Sequence, residues 1–166
     1  MSKHTDNKGN VRMIDISDKD ITKRVAKAEG YIELSEEALD SIVNNVNKKG
    51  DVLTVAQIAG ITGAKQTSRL VPLSHQVNLK SIQISFEIKR NGISCLSEVI
   101  TDSNTGVEIE AILSVEICLL TIYDMCKYID KSMVISDIKL ISKTGGKSGD
   151  FSRAVSYTHL TLPTKA

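Results

Sequence analysis

One long apolar stretch, residues 106–130, constrains the fold of this chain more than any other part of the sequence. Between Ile109 and Met125 only scattered polar residues interrupt it, and its length suits a helix but exceeds a single strand. The apolar positions go all the way round the helix instead of forming one stripe. We therefore expect this helix to be buried on every side, by a sheet and further helices or by a second subunit.

The C-terminal end of this predicted helix carries an acid and a base. Asp124 and Lys127 are three residues apart, so they fall on one face, one turn apart. An ion pair at a helix end is the simplest interpretation. A carboxylate at the end of such an apolar run, however, usually has a partner or a chemical task, so the pair is also a candidate for acid–base chemistry.

Length and composition limit the possible function classes. The chain has 166 residues, which favours one domain. The formal net charge is +1, and aromatic residues make up 4% of the chain, with no Trp. We therefore expect neither a nucleic acid nor an anionic membrane as a partner. Glutamates interrupt the long apolar helix, so a membrane span is not expected either.

The three cysteines, Cys95, Cys118 and Cys126, predict reduced thiols and hence a cytoplasmic protein. They show no CxxC spacing, and the last two lie ~12 Å apart along the predicted helix, too far for a disulfide. His75 has no second histidine or metal-spaced cluster nearby. We therefore expect neither a bound metal nor a cofactor.

The first part of the chain predicts a disordered extension, an entry segment, a strand and a helix. Residues 1–10 are polar and carry no periodicity, which is typical of disorder. Short apolar pieces at 13–16 and 31–34 fit an entry segment and a strand. Ser35 is a good N-cap for a helix that runs through Asn47.

A second helix and an antiparallel sheet are predicted next. Asp51 caps a helix over 52–59, which Gly60 and Gly63 are expected to break. Strict alternation at 80–88, followed by an Asn-Gly turn, predicts a hairpin. The sequence predicts strands over 80–88, 93–101 and 133–142. Because helices and antiparallel strands are segregated, we expect an α+β fold with helices on one face of the sheet.

The last residues, 152–166, do not fit this fold. VSYTHLTLPTKA, at 155–166, continues no periodicity and looks like translated vector or adapter sequence. We expect a single domain over 11–151 and exclude the tail from it, including His159.

Two loops combine lysine with glycine, KKGD at 48–51 and KTGGK at 143–147. Glycine lets a backbone approach an anion closely, and lysine supplies charge. A solvated lysine beside a turn explains either loop alone, and KTGGKSG lacks the spacing of a P-loop. The two loops together are compatible with a phosphate-bearing ligand.

Three further polar residues stand at positions where function is often found. His75 follows a proline bend, in a loop that could present it, although a lone histidine is more often structural. Glu108 and Glu110 open the long helix, where the positive end of the helix dipole is a sufficient explanation for them.

The chain resembles the cyclic pyranopterin monophosphate synthase family of molybdenum-cofactor biosynthesis in three segments, KKGDVLTVAQIAGITGAKQTSRLVPLSHQVNL, TGVEIEAILSVEICLLTIYDMCKYI and LISKTGGKSGDF. The similarity covers about residues 13–151, in order and with family-like spacing. It implies a ferredoxin-like α+β fold and a homohexamer, a trimer of dimers with sites at the dimer interface. It also implies a lyase that converts a GTP-derived substrate, 3',8-cyclo-7,8-dihydro-GTP, to cyclic pyranopterin monophosphate and pyrophosphate.

The resemblance assigns roles to individual residues of this chain. Catalytic roles fall on Asp124, Lys127 and Lys49. Substrate contacts fall on Leu73, Ser74, His75, Ile109, Glu110, Arg24 and Lys143. We add Glu108 at the start of the long helix, and Lys65 and Lys147 as further cations for a triphosphate.

The chain departs from the family pattern at three of these loop and helix positions. Ser74 and Gln76 stand where the family usually has Cys and Pro, and Ile109 replaces Met. The missing thiol argues that it is not an obligatory nucleophile, and the missing proline could shift the loop that presents His75. One alternative is therefore a catalytically impaired member that acts as a nucleotide-binding or assembly module. From the residues alone, a nucleotide-binding regulatory oligomer is a second alternative.

Helix geometry adds one expectation about assembly. Glu110 and Asp124 are fourteen residues apart, which separates them by ~21 Å along a continuous helix. If one substrate touches both, as the resemblance implies, Glu110 should come from one subunit and Asp124 from its neighbour.

Overall fold

The computed structural model describes residues 4–154; residues 1–3 and 155–166, which include most of the predicted tail, lie outside the described part. The domain bounds therefore stay a prediction. The described chain forms, in order, β1 (Thr22–Glu33), α1 (Glu36–Val43), α2 (Val52–Lys65), α3 (Thr67–Leu70), β2 (Leu79–Lys89), β3 (Gly92–Ser103), α4 (Glu108–Cys126), β4 (Val134–Thr144) and β5 (Phe151–Ser152).

The strands form one antiparallel sheet in the order β2-β3-β1-β4-β5. The four long strands occur in the order of a ferredoxin-like fold, with a helical crossover after β1 and another after β3. α4 packs on β1, β3 and β4, while α2 packs on β2 and on α4. The predicted α+β class and the ferredoxin-like arrangement are confirmed.

Small residues in β1 let α4 lie close to the centre of the sheet. Ala26, Ala28 and Ile32 alternate on the covered face and are almost completely buried. A side chain at Gly30 would come within 2.8 Å of both Leu119 and Val115 of α4. Because α4 lies close to the sheet, both of its ends are held in fixed positions relative to the strands.

Side-chain caps begin the first two helices where the sequence predicts them. The Ala38 amide donates to Ser35 Oγ at 3.2 Å, and the Thr54 amide donates to Asp51 Oδ1 at 3.0 Å. The predicted end of the first helix at Asn47 is wrong, because α1 ends at Val43. Asn45 has φ 52°, a left-handed conformation that stops the helix.

Gly60 and Gly63 do not break α2, which runs through both of them from Val52 to Lys65. Both glycines are buried where α2 crosses α4. A Cβ at Gly60 would overlap Cys118 Sγ, and a Cβ at Gly63 would lie 2.8 Å from Ile117 Cγ1. The glycines therefore permit α2 and α4 to pack closely. The sequence prediction treated both glycines as helix breakers and missed this role.

The Gly60→Ala variant is expected to be less stable than the wild type. Its Cβ would meet the Ser114 carbonyl oxygen at 2.9 Å, a backbone atom that cannot move aside. Overpacking costs about 1–3 kcal/mol, which exceeds the gain of up to ~1 kcal/mol in helix propensity. Urea unfolding measures the difference, with Thr62→Ala on the exposed face of α2 as the control. A Gly60→Ala protein at least as stable as the wild type would contradict this packing.

α4 is not buried on every side within one chain, so the sheet and the other helices are not a sufficient source of the burial expected from its sequence. The sheet covers one side and α2 covers another. Leu120 is nevertheless 55% exposed, and Ile109 is 43% exposed. Within residues 4–154, no helix is long and apolar enough to cross a membrane. Another subunit, the second source of burial that the sequence suggests, would cover the exposed Ile109 and Leu120 of α4.

Candidate active site

The three predicted catalytic residues lie together at the C-terminal end of α4. Lys127 Nζ is 2.8 Å from Asp124 Oδ1, and Lys49 Nζ is 3.3 Å from Asp124 Oδ2. Lys49 Nζ also donates to the Asp124 carbonyl oxygen at 2.8 Å. Asp124 thus bridges two ammonium groups, and its side chain is 57% exposed. An ion pair at a helix end is present, and it is open to a ligand.

The two ammonium groups set the protonation state of this cluster. The hydrogen bond from Lys127, followed by that from Lys49, holds the pKa of Asp124 below its usual value. The same contact with Asp124 raises the pKa of Lys127. At neutral pH the carboxylate is therefore ionised and Lys127 is protonated. Both pKa shifts point away from neutrality, so proton transfer by this pair requires a substrate that separates the two charges.

A short loop after α1 carries Lys49 to this position. Asn47 is buried, and its side-chain amide donates to the Met125 carbonyl oxygen of α4 at 3.3 Å. The Asn47 Oδ1 atom accepts from the Lys49 amide at 2.9 Å, and Gly50 then turns the chain with φ 100°. The sequence KKGD therefore reaches α4 because the preceding asparagine ties the loop to the last turn of the helix.

A second group of predicted residues surrounds a cavity of about 500 Å³ at the N-terminal end of α4. The cavity is lined by apolar side chains together with a few polar ones, as binding sites usually are. The predicted substrate-contacting residues that line it are Leu73, Ser74, His75, Glu108, Ile109 and Glu110. All six lie either in the loop before β2 or in the first turn of α4.

Glu110 is the buried carboxyl group of this cavity. It is 4% exposed, and burial raises its pKa to about 7, with a smaller contribution from the nearby charge of Glu108. Glu108 instead faces Lys143, whose Nζ lies 3.2 Å from Glu108 Oε1. Neighbouring carboxyl groups in one site thus differ in environment, so Glu110 can exchange a proton near neutral pH.

The Glu110→Gln variant is expected to be more stable than the wild type above pH 7. The carboxyl ionises near pH 4.5 when unfolded and near pH 7 when folded. Between these values the folded state binds more protons, so the free energy of unfolding of the wild type falls as the pH rises. Gln does not ionise, so the variant does not lose stability in this way. Its free energy of unfolding, relative to that of the wild type, should rise by up to about 3 kcal/mol between pH 4.5 and pH 8. Urea unfolding across this range checks the slope, and a difference independent of pH would contradict the burial of an ionisable group.

The remaining predicted cations stand at different distances from this cavity. Lys143 Nζ donates to Ser148 Oγ at 2.9 Å, in addition to its contact with Glu108. Arg24 Nε donates to the Ser103 carbonyl oxygen at 2.8 Å, and its guanidinium lies against Gly146 of the glycine-rich loop. Lys147 is 80% exposed in this loop. Lys143 thus contacts the first turn of α4, whereas Arg24 and Lys147 lie against or within the glycine-rich loop.

Lys65 lies on the opposite side of the buried carboxyl group. It lines a smaller cavity of about 180 Å³ together with His75 and Glu110. Glu110 and His75 line the larger cavity as well, so they stand between the two spaces. Among residues 4–154, no group of three or more His, Cys, Asp and Glu residues is placed to hold a metal ion.

The chain does not bring all the predicted residues together. One group gathers at the C-terminal end of α4 and the other at its N-terminal end. α4 is continuous from Glu108 to Cys126, so Glu110 and Asp124 are ~21 Å apart along its axis. A single compact substrate cannot reach from one group to the other within one chain.

The structure adds residues to the cavity that the sequence reasoning missed. Ile14, Ile16 and Lys19 of the N-terminal segment line it, together with Val71 and Val77. The sequence marks residues 13–16 as an entry segment but does not say where it leads. The alternation of Ile14 and Ile16 is the sequence signal for a segment that buries every second side chain. Four residues are nevertheless too few to separate a strand from an extended segment.

Comparison with known proteins shows the family of this chain. Residues 13–146 match the family model described as MoaC family. Three relatives carry the name cyclic pyranopterin monophosphate synthase. The protein of Peptoclostridium acidaminophilum is 46% identical over 90% of this chain and 96% of its own length. That of Desulfitobacterium hafniense is 49% identical over 90% of this chain and 93% of its own. That of Helicobacter pylori is 49% identical over 89% and 95%. The chain therefore belongs to the MoaC family.

Proposed function

We propose that this chain is a cyclic pyranopterin monophosphate synthase of molybdenum-cofactor biosynthesis. As a lyase, it converts 3',8-cyclo-7,8-dihydro-GTP to cyclic pyranopterin monophosphate and releases pyrophosphate. The observation that carries the proposal is the Lys49–Asp124–Lys127 cluster in a chain that belongs to the MoaC family. An ionised carboxylate held between two ammonium groups suits proton transfer on an anionic substrate.

The charges of the site suggest a role in the reaction for each charged residue. A triphosphate requires cations, which Arg24, Lys65, Lys143 and Lys147 would supply beside the cavity. Asp124 would accept a proton and Lys127 would donate one while the fused ring opens and is rebuilt as a pyranopterin. Closing the cyclic phosphate displaces pyrophosphate in line, and cations on the leaving group favour this step.

We also propose that each active site is built from two subunits. The separation of ~21 Å between Glu110 and Asp124 along α4 supports this arrangement, because one substrate cannot span it. The exposed Leu120 of α4 gives a second argument, since an apolar strip on a helix favours a partner surface. A hexamer built as a trimer of dimers, with sites at the dimer interface, is the assembly we propose. We place it in the cytoplasm, where its three buried cysteines would stay reduced.

Turnover of the family substrate tests the proposal. The purified protein, mixed with freshly made 3',8-cyclo-7,8-dihydro-GTP, is expected to form the pterin product and pyrophosphate in equal amounts. Product formation would exclude both the impaired family member and the regulatory nucleotide-binding oligomer. A folded protein that binds the substrate but yields neither product would favour a binding or assembly module.

A further inference from the structure

The N-terminal segment lies along the cavity at the start of α4 without joining the sheet. Residues 14–19, here called the strap, contribute Ile14, Ile16 and Lys19 to the lining. Ile14 and Ile16 are half-buried, whereas Met13, Asp15 and Ser17 are exposed. The strap thus turns alternate residues inward, like a strand, yet it belongs to no strand of the described chain.

Within residues 4–154, the hydrogen bonds that join the strap to the folded body come from side chains. Its backbone hydrogen bond from the Lys19 amide goes to the Ile16 carbonyl oxygen, inside the strap itself. His75 Nε2 lies 2.6 Å from the Ile14 carbonyl oxygen, and Asn104 Nδ2 donates to the Ile16 carbonyl oxygen at 3.0 Å. These two donors come from different loops, the one before β2 and the one before α4. The strap therefore bridges both loops across the cavity.

The contact with His75 assigns its two ring nitrogens. A carbonyl oxygen can only accept, so the Nε2 atom that faces Ile14 must carry the hydrogen. In a neutral ring, the Nδ1 atom of His75 is then a hydrogen-bond acceptor. The same side chain thus holds the strap and lines the cavity, which couples the position of the strap to the site.

Lys19 is the cation that the strap adds. Lys143, the cation nearest the first turn of α4, already faces Glu108, and Lys147 faces Asp20. In the described part of the chain, no ion pair engages the Lys19 ammonium. The cavity also contains Glu108 and Glu110, so a phosphate entering it requires positive charge that is not already neutralised.

We propose that the strap is a movable wall of the substrate cavity, closed by His75 and Asn104, and that it brings Lys19 onto a phosphate of the substrate. Asn104 acts as a positioning residue, because it fixes the strap through Ile16 and need not touch the substrate. With two side-chain hydrogen bonds and two half-buried isoleucines as its fastening, the strap can open to admit a ligand without disturbing the sheet. The inference rests on the proposed function for the identity of the phosphate compound.

The first experiment measures the fastening itself, without any substrate. Trypsin cleavage of the peptide bond after Lys19 is timed in the wild type and in Asn104→Ala, with Asn104→Asp as a second variant if the first unfolds. We expect this bond to be cut ~10-fold faster or more when the donor to Ile16 is lost, while cleavage after the exposed Arg90, in the turn between β2 and β3, keeps its rate. An unchanged rate of cleavage after Lys19 in a folded variant would overturn the role of Asn104.

The second experiment measures the charge that the strap carries. Lys19→Ala is compared with Lys8→Ala, which removes the same charge from the same N-terminal region but does not line the cavity. Lys19→Ala should weaken binding of inorganic triphosphate ~10-fold and raise KM similarly, with kcat nearly unchanged. In an Asn104→Ala background the Lys19 effect should shrink, because a released strap no longer places the ammonium.

The outcomes separate this inference from the proposed function. If the wild type turns over but Lys19→Ala behaves like Lys8→Ala in both KM and triphosphate affinity, the strap does not bind the substrate. If the wild type does not turn over, the proposed function fails. Trypsin cleavage after Lys19 and triphosphate affinity then decide the inference on their own, because neither readout needs catalysis.

Discussion

The Asp124→Asn variant is expected to lose at least ~10³-fold in kcat while its fold and assembly stay intact. Asparagine has the shape of aspartate but cannot accept a proton at this position. The substitution also leaves Lys49 and Lys127 facing a neutral group, so their charges are no longer balanced in the free protein. Stability should change little, because exposed ion pairs contribute little to the free energy of unfolding.

Single-turnover and steady-state rates measure this loss, and thermal unfolding verifies the fold. Glu116→Gln is the matched control, since Glu116 is an exposed acid on the same helix, outside both groups of site residues. It should retain the activity of the wild type. Turnover near the wild-type level in a well-folded Asp124→Asn protein would remove Asp124 from acid–base chemistry and leave it a structural ion pair.

Strong periodicity explains which elements were predictable from the sequence. β2 and β3 alternate cleanly around an Asn-Gly turn, and α4 is too long and apolar to be anything but a helix. β1 was predicted only from residue 31, whereas it begins at Thr22. Before Ile32, its covered face consists of Ala26, Ala28 and Gly30. These residues are buried because α4 comes close, and they carry little hydrophobic signal of their own.

The sequence offers candidate site residues one by one but does not give their arrangement. Spacing alone placed Asp124 and Lys127 on one face, and the structure adds Lys49 to them through a loop that Asn47 fastens. No pattern in the sequence marks Asn47 or Asn104 for these tasks, because each acts through a single hydrogen bond over a long sequence separation. Such contacts follow from the packing of α4, so they become visible only once the fold is known.

Mixing two inactive variants is expected to restore activity, if each site draws on two subunits. Glu110→Ala disables the N-terminal end of α4 and Asp124→Asn disables the C-terminal end. In a mixed dimer, one site would combine two intact ends and the other two defective ends. Random pairing gives about half mixed dimers, so about a quarter of the wild-type activity should reappear.

A second mixture provides the control for this complementation. Lys49→Ala and Asp124→Asn both damage the same end of α4, since these side chains lie 3.3 Å apart in one chain. Every site in their mixed dimers therefore contains one defect, and no activity should return. Recovery in the first mixture alone would require that opposite ends of α4 come from different subunits. No recovery in verified mixed oligomers would mean that one chain builds each site, and that only one of the two ends contacts the substrate.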